Sequence, residues 1–366
     1  MPFADELLGR SVAEQLTTCI RTAAPQLDLP TLHKSTAQFD GASLRERSDL
    51  LRDALLADLP STYADFAGIV RRALNDREFT GWMIWPVSTA TAARALDGPQ
   101  GDTFDDGMAL LADLTPRLTA EYALRPFLDA DLHRALAIVR TWTEHPDEHV
   151  RRLASEGTRP RLPWAVRVRP LLAEPTATLP VLNALYRDPA EYVRRSVANH
   201  LNDLSYAEPD IAVDTAEAWT ADPDDNTGKV VRHGMRTLVK KGHPRALALL
   251  GFGPPAGLAV TGPVLRSDSV TVGGELHFEI TVTNTADDTV RLAIDYAVHY
   301  RKANGRTAPK VFKLTTLTLA AGETAVLSRI RSFKPISTRV FHPGEHALDI
   351  LVNGRNEGSA TFTLTP

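Results

Sequence analysis

Three carboxylates stand among fixed cations in the middle of the chain. Glu121 lies between Arg117 and Arg125 in LTPRLTAEYALRP, Glu156 is the one acid of RRLASEGTRPRLPWA beside Arg151, Arg152, Arg159 and Arg161, and Asp203 closes EYVRRSVANHLND after Arg195 and Asn199. Spacings of four and eight put Arg195, Asn199 and Asp203 on one helix face, and the same spacing predicts rows Arg117, Glu121, Arg125 and His233, Thr237, Lys241, with Lys240 alongside. Rows of Arg and Lys hold phosphate. Acids in such a groove repel phosphate, so they make sense only if the groove must also meet a positive charge. Trp164, directly after Pro163, offers an aromatic face for a base or a cation, worth roughly 0.5–2 kcal/mol. Plainer explanations stand beside these. Arg–Glu pairs at i, i+4 decorate solvated helices for about 0.3–0.5 kcal/mol each, and a tryptophan can plug the gap between two repeats.

The elements that must carry these residues are helical up to about residue 253. Segments such as SLRERSDLLRDALLADL and DLHRALAIVRTWTEH repeat apolar residues at three and four. DPAEYVRRSVANHLNDL resembles HPDEHVRRLASEGTRP and, more weakly, NTGKVVRHGMRTLVKKG. Aligned on Val150, Val193 and Val231, these follow the period of HEAT-type helix pairs, which stack into a curved solenoid. Val193, Val197 and Leu201 are the expected core face. GFGPPAGLAV then reads as a linker, and beyond it the apolar period falls to two. About seven strands in roughly 100 residues predict an immunoglobulin-like β-sandwich. The expected organisation is a HEAT-like α-solenoid over 1–253 and a sandwich over 254–366.

Composition narrows the function. The chain has 366 residues and a formal net charge of −4, but the charge is unevenly spread: 11 Lys+Arg against 17 Asp+Glu in residues 1–120, 18 against 18 in 121–257, and 12 against 10 in 258–366. Cations are therefore available for a local patch in the later part. Cys19 is the single cysteine, which excludes a disulfide framework and a cysteine metal site and fits a reducing compartment. MPFADELLGR lacks the apolar run of a signal peptide, and no stretch reaches the roughly 20 apolar residues of a membrane span, so a soluble cytoplasmic protein is expected. His145 and His149 have metal-pair spacing without an obvious third ligand, and no metal or other cofactor is expected. Trp82 and Trp85 in GWMIWP read as core packing. No phosphate-binding glycine loop, nucleophile elbow or dinucleotide fingerprint occurs.

With these residues in view, the sequence resembles the AlkC family of HEAT-like repeat alkylpurine DNA glycosylases, in the subtype with a C-terminal Ig-like domain. The stretches that carry the resemblance are LTPRLTAEYALRPFL, VRRLASEGTRPRLPWA, EYVRRSVANHLND and HYRKANGRTAPKVFK, in order and across both domains. It is weakest over the first hundred residues. The resemblance implies a monofunctional glycosylase that excises cationic methylated bases, 3-methyladenine and 3-methylcytosine, from duplex DNA with water as nucleophile and without flipping the base, as the first step of base excision repair. It implies Glu121, Glu156 and Asp203 as catalytic carboxylates, with Trp164 against the lesion. Arg152, Arg159, Arg161, Arg195, Lys240 and Lys241 are then phosphate contacts, joined by Arg301, Lys302 and Arg306 of the sandwich. A monomer, associated with the nucleoid when DNA-bound, is expected. The competing reading is a non-catalytic HEAT/Ig scaffold for DNA or protein, which has no reason to set acids into a cationic groove. A carbohydrate-binding sandwich would need an aromatic platform, and no Trp lies beyond residue 257.

Overall fold

The computed structural model describes residues 4–98, 102–253, 257–335 and 340–366. These form two compact units, Met1–Glu208 with Ala218–Gly234, and Pro209–Glu217 with Met235–Pro366.

The first unit is helical. The repeat expected from the valine register is present: helices Glu148–Glu156, Glu191–Leu204 and Thr227–Gly234 carry Val150, Val193 and Val231, all buried, and the middle helix packs on both others. Val197 and Leu201 fill the same core. Arg151 and Arg194 explain why the Val-Arg pair recurs. Arg151 Nη1 donates to the carbonyls of His145 and Pro146, both at 2.9 Å, and Arg194 Nη1 to those of Asp188 and Pro189 at 2.5 and 2.8 Å. Each arginine thus ties down the loop five and six residues before it. The following arginine, Arg152 or Arg195, is left for the other helix face.

Two expected rows do not form on continuous helices. The helix Asp102–Leu114 stops two residues before Pro116, whose ring and missing N–H oppose continuation, so Arg117 and Glu121 lie in turns and only Arg125 is helical. The third row breaks at Met235: His233 lies in the last turn of helix Thr227–Gly234, and Thr237 belongs to the short helix Arg236–Lys240 of the second unit.

Among its described residues, the second unit contains eight strands: β1 (Leu258–Leu265), β2 (Ser269–Thr271), β3 (Glu275–Asn284), β4 (Val290–Arg301), β5 (Thr307–Leu319), β6 (Thr324–Ser332), β7 (Gly344–Val352) and β8 (Arg355–Thr365). They form sheets ordered β1-β3-β6 and β2-β8-β7-β4-β5, antiparallel except for β2 with β8. Phe278, Ile280, Tyr296, Val298, Leu348 and Ile350 lie in the shared core. The sequence pattern hides β1 inside the Gly/Pro-rich linker. Pro263 is tolerated there because β1 is an edge strand and the register shifts between Thr261 and Val264. Composition changes near residue 254, and residues 254–256 lie outside those described. The packing changes earlier. Leu247 and Phe252 join Ala293 of β4 in one apolar cluster, and Asn353 Nδ2 donates to the Gly253 carbonyl at 2.7 Å, so the last helical residues belong with the sandwich.

Candidate active site

The three carboxylates meet in the first unit, joined through two arginines. Asp203, near the end of helix Glu191–Leu204, receives Arg159 in fork geometry: Nε to Oδ2 at 2.9 Å and Nη2 to Oδ1 at 3.2 Å. Arg159 Nη1 also donates to Glu156 Oε1 at 2.6 Å. Glu156 is the last residue of helix Glu148–Glu156, and its other oxygen accepts from the Ser196 hydroxyl at 2.7 Å. Arg152, one helical turn before it, lies 3.5 Å from Glu156 and donates to Glu121 Oε2 at 2.5 Å. The Thr119 hydroxyl also donates to Glu121, at 3.0 Å. The result is a continuous chain, Asp203–Arg159–Glu156–Arg152–Glu121. Three negative charges against two positive ones leave it one anion in excess.

Its carboxylates are buried, at 6–8 % exposure. Burial on its own pushes the Glu156 carboxyl up, but the charges of Arg152 and Arg159 and the Ser196 hydrogen bond hold it below the usual carboxylate range. For Arg159, burial pulls against the charge, and the bonds to Asp203 and Glu156 outweigh it, so the guanidinium is held more firmly protonated. His200, one turn before Asp203, is wholly buried between the Ser155 carbonyl (2.9 Å from Nδ1) and the Thr178 hydroxyl (3.0 Å from Nε2). Burial brings it down to about 4, so it is neutral at pH 7 with its proton on Nδ1, because the carbonyl can only accept.

This placement changes two expectations. Arg152 and Arg159 were expected to hold phosphate. Both side chains are largely buried and spend their N–H groups on the carboxylates, so their visible work is to gather acids. Arg117 and Arg125 of the proposed upstream row likewise turn inward. Arg117 donates to the carbonyls of Leu74, Asp76 and Arg77, and Arg125 to those of Gly157, Arg159 and Val166.

Trp164 does not plug a gap between repeats. It is 79 % exposed, and its backbone is left-handed at φ 60°, unusual for a bulky residue. Arg161, in the same loop, is exposed with its guanidinium 4.5 Å from the Tyr206 ring centroid. Arg195 is exposed on a groove of ≈ 390 Å³ lined also by Arg194, Lys229, His233 and Glu191. Lys229 is a cation the spacing argument missed: it precedes the aligned Val-Arg register by two residues, outside any of the rows. Trp85 is core, as expected, and stacks on Tyr122 at 5.1 Å between centroids.

In the second unit, Lys240 and Lys241 are exposed. Residues 302–306 form the tight turn between β4 and β5, closed by Lys302 N donating to the Arg306 carbonyl at 2.8 Å. Lys302 and Arg306 are exposed at its tip. Arg301 is half-buried, its side chain filling the space that a side chain at Gly344 would need. No group of three or more His, Cys, Asp or Glu able to hold a metal occurs among the described residues, and no described helix is long and apolar enough to cross a membrane.

Fold and site together define a helical-repeat protein with a C-terminal Ig-like sandwich and a carboxylate-rich polar cluster in its helical part. Residues 259–366 match the family model described as "Uncharacterised protein YhaZ, C-terminal Ig-like domain". The chain is 32% identical over 361 residues to YhaZ of Bacillus subtilis, covering 98% of each. It is also similar to the alkylpurine DNA glycosylase AlkC of Pseudomonas fluorescens, solved bound to DNA containing an abasic-site analog: 32% identity, 100% of each chain and a TM-score of 0.89. The chain belongs to the AlkC family of alkylpurine DNA glycosylases, in the form that carries the Ig-like domain.

Proposed function

We propose that this chain is a monofunctional DNA glycosylase that hydrolyses the N-glycosidic bond of cationic methylated bases, 3-methyladenine and 3-methylcytosine, in duplex DNA. The observation that carries the reading is the buried chain of three carboxylates bridged by two arginines. A scaffold gains nothing from it, because gathering acids beside exposed cations weakens phosphate binding.

The chemistry suits such a cluster. A cationic base is already an activated leaving group, so no acid has to protonate it. The C1′–N bond breaks with its electron pair passing to the base, whose positive charge is thereby neutralised, and the sugar develops oxocarbenium character. A fixed anion stabilises that charge. Water then attacks C1′, and its proton passes to a carboxylate. Glu156 and Asp203 flank the sugar and hold the water in this reading, while Glu121 serves the same end or faces the cationic base. Trp164 offers its π face to the lesion. The bond to N3-alkylated purine is reached without turning the base out of the duplex. Helical residues 1–253 supply grip and catalysis, and 254–366 a second DNA contact. Arg161, Arg195, Lys240, Lys241, Lys302 and Arg306 contact phosphates, with Arg301 beneath the hairpin tip. The protein acts as a cytoplasmic monomer, on the nucleoid when DNA-bound.

The test is release of free base from methylated duplex DNA at low salt. The expected result is liberated 3-methyladenine and an abasic site. DNA binding with no base released would make the protein a scaffold.

A further inference from the structure

Arg45 has no place in the chemistry above, yet it lies at the residue that presents the aromatic face. We infer that Arg45 is a positioning residue for Trp164, and that the acidic N-terminal helices serve the reaction through it. This inference rests on the reading of Trp164 as a lesion contact.

Three guanidiniums hold the carbonyls of the loop between Gly157 and Val168. Arg125 takes those of Gly157, Arg159 and Val166, and Arg167 that of Pro160 at 2.9 Å. Of these three, it is Arg45 that reaches the residue carrying the ring, donating through Nη2 to the Trp164 carbonyl across 119 residues of sequence. Arg45 is itself fixed from two sides. It sits in the first turn of helix Leu44–Asp58, whose start is set by a capping box between Ser43 and Glu46. Its guanidinium also lies 5.9 Å from the centroids of both Trp85 and Tyr122, which are stacked on each other.

The need for such a hold follows from the backbone. A left-handed φ at a bulky residue is unfavourable and persists only when its surroundings impose it. The indole makes no such contribution, because it is exposed. Locally, the Ala165 N–H donates to the Leu162 carbonyl at 3.3 Å and closes a turn centred on Pro163 and Trp164, and Arg45 adds a hold on the carbonyl of the left-handed residue itself. Without it, the loop relaxes toward ordinary φ and the indole leaves its orientation. Misplacement of a contacting group lowers the rate of a step far more than it lowers affinity.

The test uses the full chain with Arg45→Ala and the charge-retaining Arg45→Lys, each first checked for an unchanged melting temperature. Limited trypsin digestion reads the loop directly, through cleavage after Arg161 and Arg167. Single-turnover excision and affinity for abasic-analog duplex read the function, in the wild-type and Trp164→Ala backgrounds. Arg45→Ala is expected to be nicked at those two bonds about tenfold faster, with no new cuts elsewhere, and to excise about tenfold more slowly with affinity within about twofold. Arg45→Lys should fall between, and stands in if the alanine variant does not fold. In the Trp164→Ala background, Arg45→Ala should slow excision no further. Unchanged nicking overturns the inference, and so does an equal loss in both backgrounds. If Trp164→Ala excises like wild type, the role given to Trp164 fails, and the nicking rate alone decides whether Arg45 holds the loop.

Discussion

Two buried carboxyls, one in each compact unit, are driven in opposite directions. Glu156 is surrounded by Arg152, Arg159 and Ser196, and these hold it below the usual carboxylate range against burial. Asp295 on β4 is as well buried, but burial dominates there, the charges of Lys313 and Lys240 offset only part of it, and the carboxyl is pushed up to about 6. Burial that outweighs its partners shifts an acid toward its neutral form, whereas a buried acid held below its usual range needs dedicated partners. The helical unit devotes two arginines to keeping charge where solvent would otherwise remove the need for it. Such an arrangement is weak evidence for stability, since apolar replacements often do as well. It is better evidence for a function that uses fixed negative charge.

Substitutions can break this contrast, and the largest effect should come from Arg159→Ala. It strands Asp203 and half of Glu156 as uncompensated buried charge, which costs about 3–5 kcal/mol. Denaturant unfolding should show that loss, and excision should vanish with it. A second effect lies in the pH dependence of the same unit. The folded pKa of His200 is about 4, below its ordinary 6.5, so its contribution is present above pH 6.5 and lost as pH falls toward 4. Unfolding midpoints at pH 7 and pH 4.5 should show His200→Gln losing about 2 kcal/mol less than wild type over that interval.

Asp295 has the opposite sign. Its folded pKa is raised from 3.8 to about 6, so stability is fullest below pH 3.8 and lost as pH rises through 6. Asp295→Asn should therefore stabilise the protein by about 2–3 kcal/mol at pH 7.5, with the gain fading below pH 4. Thermal melts across that range check it, and a destabilised Asn variant at pH 7.5 would remove the contrast with Glu156. The smallest effect belongs to the exposed hairpin. Arg306→Ala should weaken DNA binding about two- to fivefold at low salt and reduce the slope of log K against log salt by about 1, without changing the single-turnover rate.

The contrast also marks how far the sequence can be read. The valine register at 150, 193 and 231 was legible because a buried face must repeat with the helix. The acids were legible as odd residues among cations. Their linkage was not, because Arg159 reaches Asp203 across 44 residues and no local spacing encodes that. Local spacing also does not reveal that Arg152 and Arg159 grip carboxylates: an arginine beside an acid looks alike in sequence whether its fork points outward or inward. Glu121 was placed on a helix that Pro116 in fact ends. Arg45 left no signal, since its partner is a backbone carbonyl, which any residue at position 164 would supply.

Whether the carboxylate chain performs chemistry is decided by Asp203→Asn. The substitution removes the charge and keeps the shape. Single-turnover release of 3-methyladenine should be measured beside affinity for abasic-analog duplex. If Asp203 takes part in the chemistry, the rate falls by at least about 100-fold with affinity within about threefold. Excision at the wild-type rate with a folded Asn variant would contradict that role.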